Sequence, residues 1–439
     1  MLMKEVNEIV GEARADRAND VNRNRSIWFG REKRAMERRE FLYALGAGSL
    51  AVLPDPKPVI NKEIVENRAS SDLSGRRDPR IDVSFENLFW NFARVKMRAK
   101  VPVMAVVKAN AYGHGLVETA RALEKTGAAA LMVGKLAEAV SLREAGVRLP
   151  ILNFGPFARG DSEAIVARRI NQAVYSDEVR YLDESASRLN TKASVHIDID
   201  TGMGRTGVPH DRALPLIEKI GSLASLKIAG VCTSLTEDLE FDREQMKRFL
   251  DVCEAAKVRG ISLGVRHAAS SAALFEAPEY FLDMIRPGIA LYGYYPNART
   301  AKEDALGLKP VLKLSATVIF IKDLAPGESL SYLRSFKAKD RMRVATVGVG
   351  YADGYPAQMG GRAVVAIKHK IFPVLPAVTA NHTMVDLLND REIEVGDEAV
   401  LIDREKGRGL TADALAEKTG VGDYKLLIGL NPSLPRIYF

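Results

Sequence analysis

Eight short apolar runs between Val101 and Leu291, with helix-like sequence between them, narrow the folds open to this chain more than any other feature. They are Val101–Val107, Ala128–Val133, Leu149–Phe154, Ile170–Tyr175, Ala193–Ile199, Ile228–Cys232, Leu263–His267 and Met284–Leu291. Glu118–Gly127 and Leu136–Gly146 place apolar residues at i, i+3 and i+4 and close on glycine, a common helix stop. Strands alternating with helices imply a parallel sheet. Eight such units over about 210 residues fit a (β/α)8 TIM barrel. An open doubly wound sheet is the alternative.

In a barrel, chemistry collects where the strands end. Those ends carry Lys108, Asn153, Asp198 with Asp200, Ser234, Ser270 with Ser271, and Arg286. Lys108 stands out. The run Val101–Val107 stops abruptly at it, and the polar, glycine-rich ANAYGHG follows. A lysine there is either a snorkelling surface residue or a buried amine with a chemical task. Hydroxyls and free backbone N–H groups in Ser270–Ala272 and Arg286–Gly288 follow the last two runs, where this fold usually holds phosphate. An amine beside a phosphate cradle points to pyridoxal 5'-phosphate held as a Schiff base on the lysine.

From about Leu312 the pattern changes. Ala316–Ile321, Arg343–Val349, Arg362–Leu375 and Glu398–Ile402 alternate or run apolar, rich in Val and Ile, with turn residues between. This reads as a mostly-β C-terminal domain. The expected organisation is 1–80 for an N-terminal extension, 81–311 for the barrel and 312–439 for the β-domain.

Met1–Ala35 is polar and lacks apolar periodicity, so it is expected to be disordered or to lie ahead of the true start. Met36–Pro54 places Arg38-Arg39 before Phe41-Leu42 and a short apolar segment. It resembles a twin-arginine export signal, with Met36 a natural start, and implies a periplasmic or other extracytoplasmic location. Read instead as a short amphipathic helix, it leaves the protein cytoplasmic. Pro54–Arg80 reads as a linker.

The whole chain, 439 residues with 47% apolar and 27% charged, has the composition of a soluble globular protein. Its net charge of +7 is spread along the chain without a basic, aromatic-laced stripe, which argues against nucleic acid. No apolar run is long enough for a stable membrane span. Two cysteines, Cys232 and Cys253, lack metal-ligand spacing and are too few for a disulfide framework, although one bridge between them is conceivable.

Taken together, several segments resemble the alanine racemase family. AVVKANAYGHG (Ala105–Gly115), DTGMGRTG (Asp200–Gly207), HAASSAA (His267–Ala273), RPGIALYG (Arg286–Gly293), GESLSY (Gly327–Tyr332), GYADGYP (Gly350–Pro356) and LPRIY (Leu434–Tyr438) occur in the family's order. The resemblance spans about Arg80 to Phe439. It implies a pyridoxal-phosphate barrel followed by a β-domain, and a homodimer whose active sites join one chain's barrel to the other's β-domain. Lys108 would hold the cofactor and act as one base, with Tyr351 of the partner subunit as the opposed base. Arg205 would meet the cofactor's phenolic oxygen and the substrate carboxylate, and Arg286 the ring nitrogen. Tyr112, Ser271, Gly288, Ile289 and Tyr424 would bind phosphate. Tyr332 would stand at the substrate entrance, and Ala380 would shape the substrate pocket.

The chain departs from the family pattern at four places. Ser234 stands where family members stack a histidine on the cofactor. Asp198 replaces a lysine, often carbamylated, near the arginine of DTGMGR, and an aspartate could accept from Arg205. Thr379-Ala380-Asn381 replaces Cys-Met-Asp, which would widen the substrate pocket. Ser270 replaces the usual asparagine. The implied function is racemisation of small-molecule amino acids, alanine or a broader range. A related pyridoxal-phosphate enzyme of the same fold, or an exported cofactor-binding homologue without turnover, is the alternative.

Overall fold

The computed structural model describes residues 78–439. The twin-arginine segment and residues 54–77 of its linker, and with them the expectation of export, lie outside the described residues; Arg80, read as the linker's end, opens a strand.

Seven parallel strands follow one another around a sheet: Met104–Val106, Ala130–Val133, Ile151–Asn153, Asn171–Val174, Ala193–Asp200, Leu226–Cys232 and Val265–His267. The eighth position is filled by Met284–Pro287. Val103 bridges Ile285 in parallel, Met104 N donates to Ile285 O at 2.9 Å and Val106 N to Pro287 O at 3.1 Å. On the other side, Asp283 N donates to Arg266 O and Arg286 N to Ala269 O. Pro287 has no N–H to give, which keeps this segment from forming a regular ladder. The ring nevertheless closes. That makes it a barrel and excludes the open doubly wound sheet, whose outer strands would stay unpaired.

The apolar runs become strands because both of their faces are buried. Met104, Ala130, Leu152, Ala173 and Met284, from five positions around the ring, form a core of their own inside it. Residues alternate with these along the strands, such as Ala105, Leu131 and Ile151, and join the larger core under the helices. The helices Leu116–Lys125 and Leu136–Glu144 bury Ala120 with Leu123 and Ala139 with Leu142, as their spacing requires.

The first helix, Phe85–Ala99, begins at Ser84, whose Oγ accepts from Asn87 N, and buries Leu88, Phe92, Val95 and Ala99. Fully burying a Leu, Phe or Val side chain stabilises by about 1.5–3 kcal/mol. Asn91, on the same buried face, donates to Leu291 O and Lys309 O and accepts from Lys309 N, so the helix grips the segment that leaves the barrel.

The C-terminal part is a second, antiparallel ring. Met342–Val347, Thr383–Asp386, Lys370–Val378, Val364–Ile367, Glu398–Ile402 and Leu312–Leu324 pair in that order, and the last returns to the first. Arg80–Val83 adds to it, antiparallel to Leu312–Ser315 and parallel to Arg436–Tyr438. The residues that open the barrel sequence and those that end the chain therefore share one sheet. Cys232 and Cys253 are both free and buried. No helix among the described residues is long and apolar enough to cross a membrane.

Candidate active site

Lys108 leaves the barrel strand one residue after Val107 and enters a left-handed turn. Ala109, Asn110, Ala111 and Tyr112 have φ of 52° to 57° in succession. An L-residue in this region costs roughly 1–2 kcal/mol, so four in a row must be held from outside. Ala111 N donates to Val107 O at 2.9 Å, Gly113 N to Ala109 O at 3.1 Å and Gly115 N to Asn110 O at 3.0 Å. The Asn110 side chain accepts from Leu116 N at 2.8 Å. His114 Nδ1 lies 3.0 Å from Ala111 O and 2.9 Å from Tyr112 O. Both partners are acceptors, so Nδ1 carries the proton and Nε2 is bare, buried and unpartnered. Burial pushes this ring's pKa down to about 4.

The turn opens onto a cavity of about 310 Å³ at the C-terminal end of the barrel strands. Lys108, Arg205 and Arg286 supply its cationic wall. Burial lowers the Lys108 pKa, Arg205 and then Arg286 add to the effect, and Glu138 opposes it. Arg286 is buried and anchored through Nη2 to Thr233 O at 2.6 Å and Ala268 O at 3.1 Å. Its Nε has no partner. Beneath it, the buried His196 and His267 share a hydrogen bond of 2.8 Å, and burial holds both rings neutral.

At the other end, Ser271 Oγ accepts from Gly288 N at 3.0 Å and Ala290 N at 3.3 Å. A Cβ on Gly288 would lie 2.3 Å from the Tyr112 hydroxyl, so only glycine lets the backbone and the phenol meet. Tyr424 lines the same end. Burial raises the pKa of both phenols well beyond the ordinary range and keeps them O–H donors. Ile289 is fully buried off the cavity wall, and the N–H groups directed at Ser271 are those of its neighbours. An amine with a lowered pKa, a guanidinium with an unpartnered Nε and a cluster of N–H and O–H donors fit pyridoxal 5'-phosphate.

Asp198 does not reach Arg205. Its Oδ2 accepts from Thr206 Oγ1 at 3.1 Å, and among the described residues the Arg205 guanidinium has no hydrogen-bond partner. The short aspartate side chain meets the nearer hydroxyl. Asn153 is likewise occupied, bonded to Gln172 and Gly155 within the barrel. Ser234 lies on the cavity wall, and so does Glu237, which sequence reasoning passed over.

Tyr351, Tyr332 and Ala380 are not on this cavity's wall. Tyr351 N donates to Thr379 O and Ala352 N to Ala380 O, which seats the GYAD turn against the Thr379–Asn381 segment on the β-domain. Tyr351 is 55% exposed and Tyr332 81%.

Two family models match the chain: Alanine racemase, N-terminal domain, over residues 83–296, and Alanine racemase, C-terminal domain, over residues 311–438. The chain belongs to the alanine racemase family. The alanine racemase of Clostridium tetani is 34% identical over 367 residues, covering 81% of this chain and 94% of that protein. That of Clostridium perfringens strain SM101 is 37% identical over 342 residues, 76% of this chain and 88% of the relative. Among solved structures, the alanine racemase of a D-cycloserine-producing Streptomyces lavendulae superposes with a TM-score of 0.79 at 29% identity, covering 83% of this chain and 97% of that one. That of Clostridium difficile 630 gives 0.78 at 31% identity, covering 82% and 96%. The protein is thus a pyridoxal-phosphate-dependent racemase built as a TIM barrel followed by a mostly-β domain.

Proposed function

We propose that this racemase interconverts L- and D-amino acids, with alanine or a broader range as substrate, using two opposed bases from two chains. The observation that carries the reading is the separation of Lys108 from Tyr351. One is half-buried in the barrel cavity, while the other is exposed beside Ala380 on the β-domain. A homodimer with shared sites would place Tyr351 of the partner subunit over the cavity, with Tyr332 at its entrance.

Bound pyridoxal phosphate supplies an electron sink for the substrate's α-carbon. Lys108 holds it and exchanges the α-proton on one face; Tyr351 of the partner subunit serves the other face. Arg205, on the cavity wall, would bind the substrate carboxylate and the cofactor's phenolic oxygen. Arg286, with its unpartnered Nε, would meet the ring nitrogen; being permanently protonated, it would not readily donate to it, which would limit leakage into other cofactor chemistry. Tyr112, Ser271, Gly288 and Tyr424, which line the cavity, would hold the phosphate. Ala380, smaller than the methionine the family places there, supports the broader range.

Incubating the full-length protein with each L-amino acid and resolving the products by chiral chromatography tests the reading. D-alanine, alone or among other D-products, is expected. If every amino acid keeps its handedness while Lys108 carries cofactor, the reading fails. Export through the twin-arginine segment is a separate part of the proposal. A reporter fused to residues 36–80 should reach the extracytoplasmic side, and its retention in the cytoplasm would end that part.

A further inference from the structure

The carboxylate of Glu138 joins two loops that the barrel brings side by side. Its Oε1 accepts from Asn110 N at 3.1 Å, inside the left-handed turn. Its Oε2 accepts from Gly134 N at 3.2 Å, where the next strand ends. Gly134 is also the floor under Lys108. A Cβ built on it would lie 3.4 Å from Lys108 Cβ, 3.8 Å from Lys108 Cδ and 4.0 Å from Glu138 Oε2. The lysine stem therefore runs over Gly134 with the carboxylate on the same side.

We propose that Glu138 is a positioning residue for the reaction: it pins the turn that carries Lys108 to the neighbouring strand end, and its negative charge balances the cations around the lysine amine. The inference rests on the reading of Lys108 as cofactor lysine and base. Two N–H groups need an acceptor here, one of them on a residue whose backbone conformation is costly. A single carboxylate satisfies both, and a charged acceptor does so more strongly than a neutral one. The charge also has work to do. Arg205 and Arg286 face Lys108 from the wall of the cavity, Glu237, Tyr112 and Tyr424 line its other parts, and Glu138 is the anion that favours the charged amine. Without it, the amine would lose its proton more readily. Glu138 is not on the cavity wall and acts through Lys108.

The test compares full-length wild type with Glu138→Gln and Glu138→Ala, all carrying cofactor. Amide hydrogen exchange is followed by mass spectrometry in peptides containing Asn110 and Gly134, with a peptide from 312–324 as an internal control. The visible absorption of the lysine-bound cofactor is titrated with pH in parallel. Glu138→Gln keeps the shape and one acceptor but removes the charge. It should speed exchange at Asn110 or Gly134 by roughly tenfold and move the absorption midpoint to lower pH. Glu138→Ala should free both amides. Unchanged exchange in both variants, or a pH profile that superposes on the wild type, overturns the proposal. Borohydride reduction followed by peptide mapping of the wild type separates the two ideas. Cofactor mass missing from the Lys108 peptide sinks the functional reading, while the exchange at Asn110 still decides the tether.

Discussion

Arg436 donates from Nε to the carbonyl of Gly113 at 2.9 Å, fastening the last strand of the chain to the turn that carries Lys108. The same guanidinium reaches Leu434 O at 2.8 Å and Pro432 O at 3.0 Å. Arg436→Met keeps the stem and removes the donors, leaving carbonyls without partners. It should destabilise the protein by about 2–3 kcal/mol and speed the loss of bound cofactor on dialysis. Urea unfolding and the cofactor's absorbance measure the two effects. A variant as stable and as retentive as wild type would show that the strand does not hold the turn.

Gly113 is constrained on its other side as well. Its φ is +84°, and a Cβ there would lie 2.1 Å from Leu427 O, a backbone atom of the C-terminal helix Asp423–Gly429. Gly146 has nearly the same φ, +82°, but open space around it. Gly146→Ala should cost about 1 kcal/mol, the ordinary penalty of a left-handed alanine. Gly113→Ala adds a backbone collision and should cost at least about 3 kcal/mol, with cofactor binding impaired. Equal losses in urea titrations of the two variants would mean that the helix yields freely at Leu427.

Much of the barrel was legible because its strands are buried on both faces and so read as unbroken apolar runs. Ala130–Val133 and Val265–His267 fall inside runs visible in the sequence. Lys108 stood out because a charge ended such a run. Arg80–Val83 gave no comparable signal, being four residues whose pairing partners lie at 312–315 and 436–438. Glu138 was invisible for a different reason. In the sequence it is one glutamate on an amphipathic helix, and its meaning comes from an N–H 28 positions away that a left-handed turn exposes. Arg436 acts across 323 positions. Asp198 misled because sequence distance to Arg205 says nothing about Thr206 intercepting its carboxylate.

Acid should weaken the protein through His114. In the unfolded chain this ring takes up a proton near pH 6.5, but in the folded chain only at about pH 4, because burial and the nearby Arg436 disfavour the charge. Between those values the unfolded state holds more protons, so stability rises with pH through the window and is fully present above it. The separation corresponds to roughly 3 kcal/mol, of which about 2 kcal/mol would be lost by pH 5. His196, its pKa also depressed to about 4, acts in the same direction. The urea midpoint should therefore fall between pH 7 and pH 5, and the fall should shrink in His114→Gln. An equal fall in that variant would remove His114 as its source.

The separation of Lys108 from Tyr351 makes a prediction about mixtures. Lys108→Ala and Tyr351→Phe should each be nearly inactive alone, since each removes one base from every site. If the bases come from different chains, a dimer built from one of each has one doubly damaged site and one intact site. Unfolding the two variants together and refolding them, or expressing them in one cell, should restore about a quarter of the wild-type activity, given random pairing. Restored turnover should appear only under conditions that let chains exchange, and size-exclusion chromatography should find it in the dimer peak. A refolded mixture no more active than its parents would mean that both bases act within one chain, and the shared-site reading would be lost.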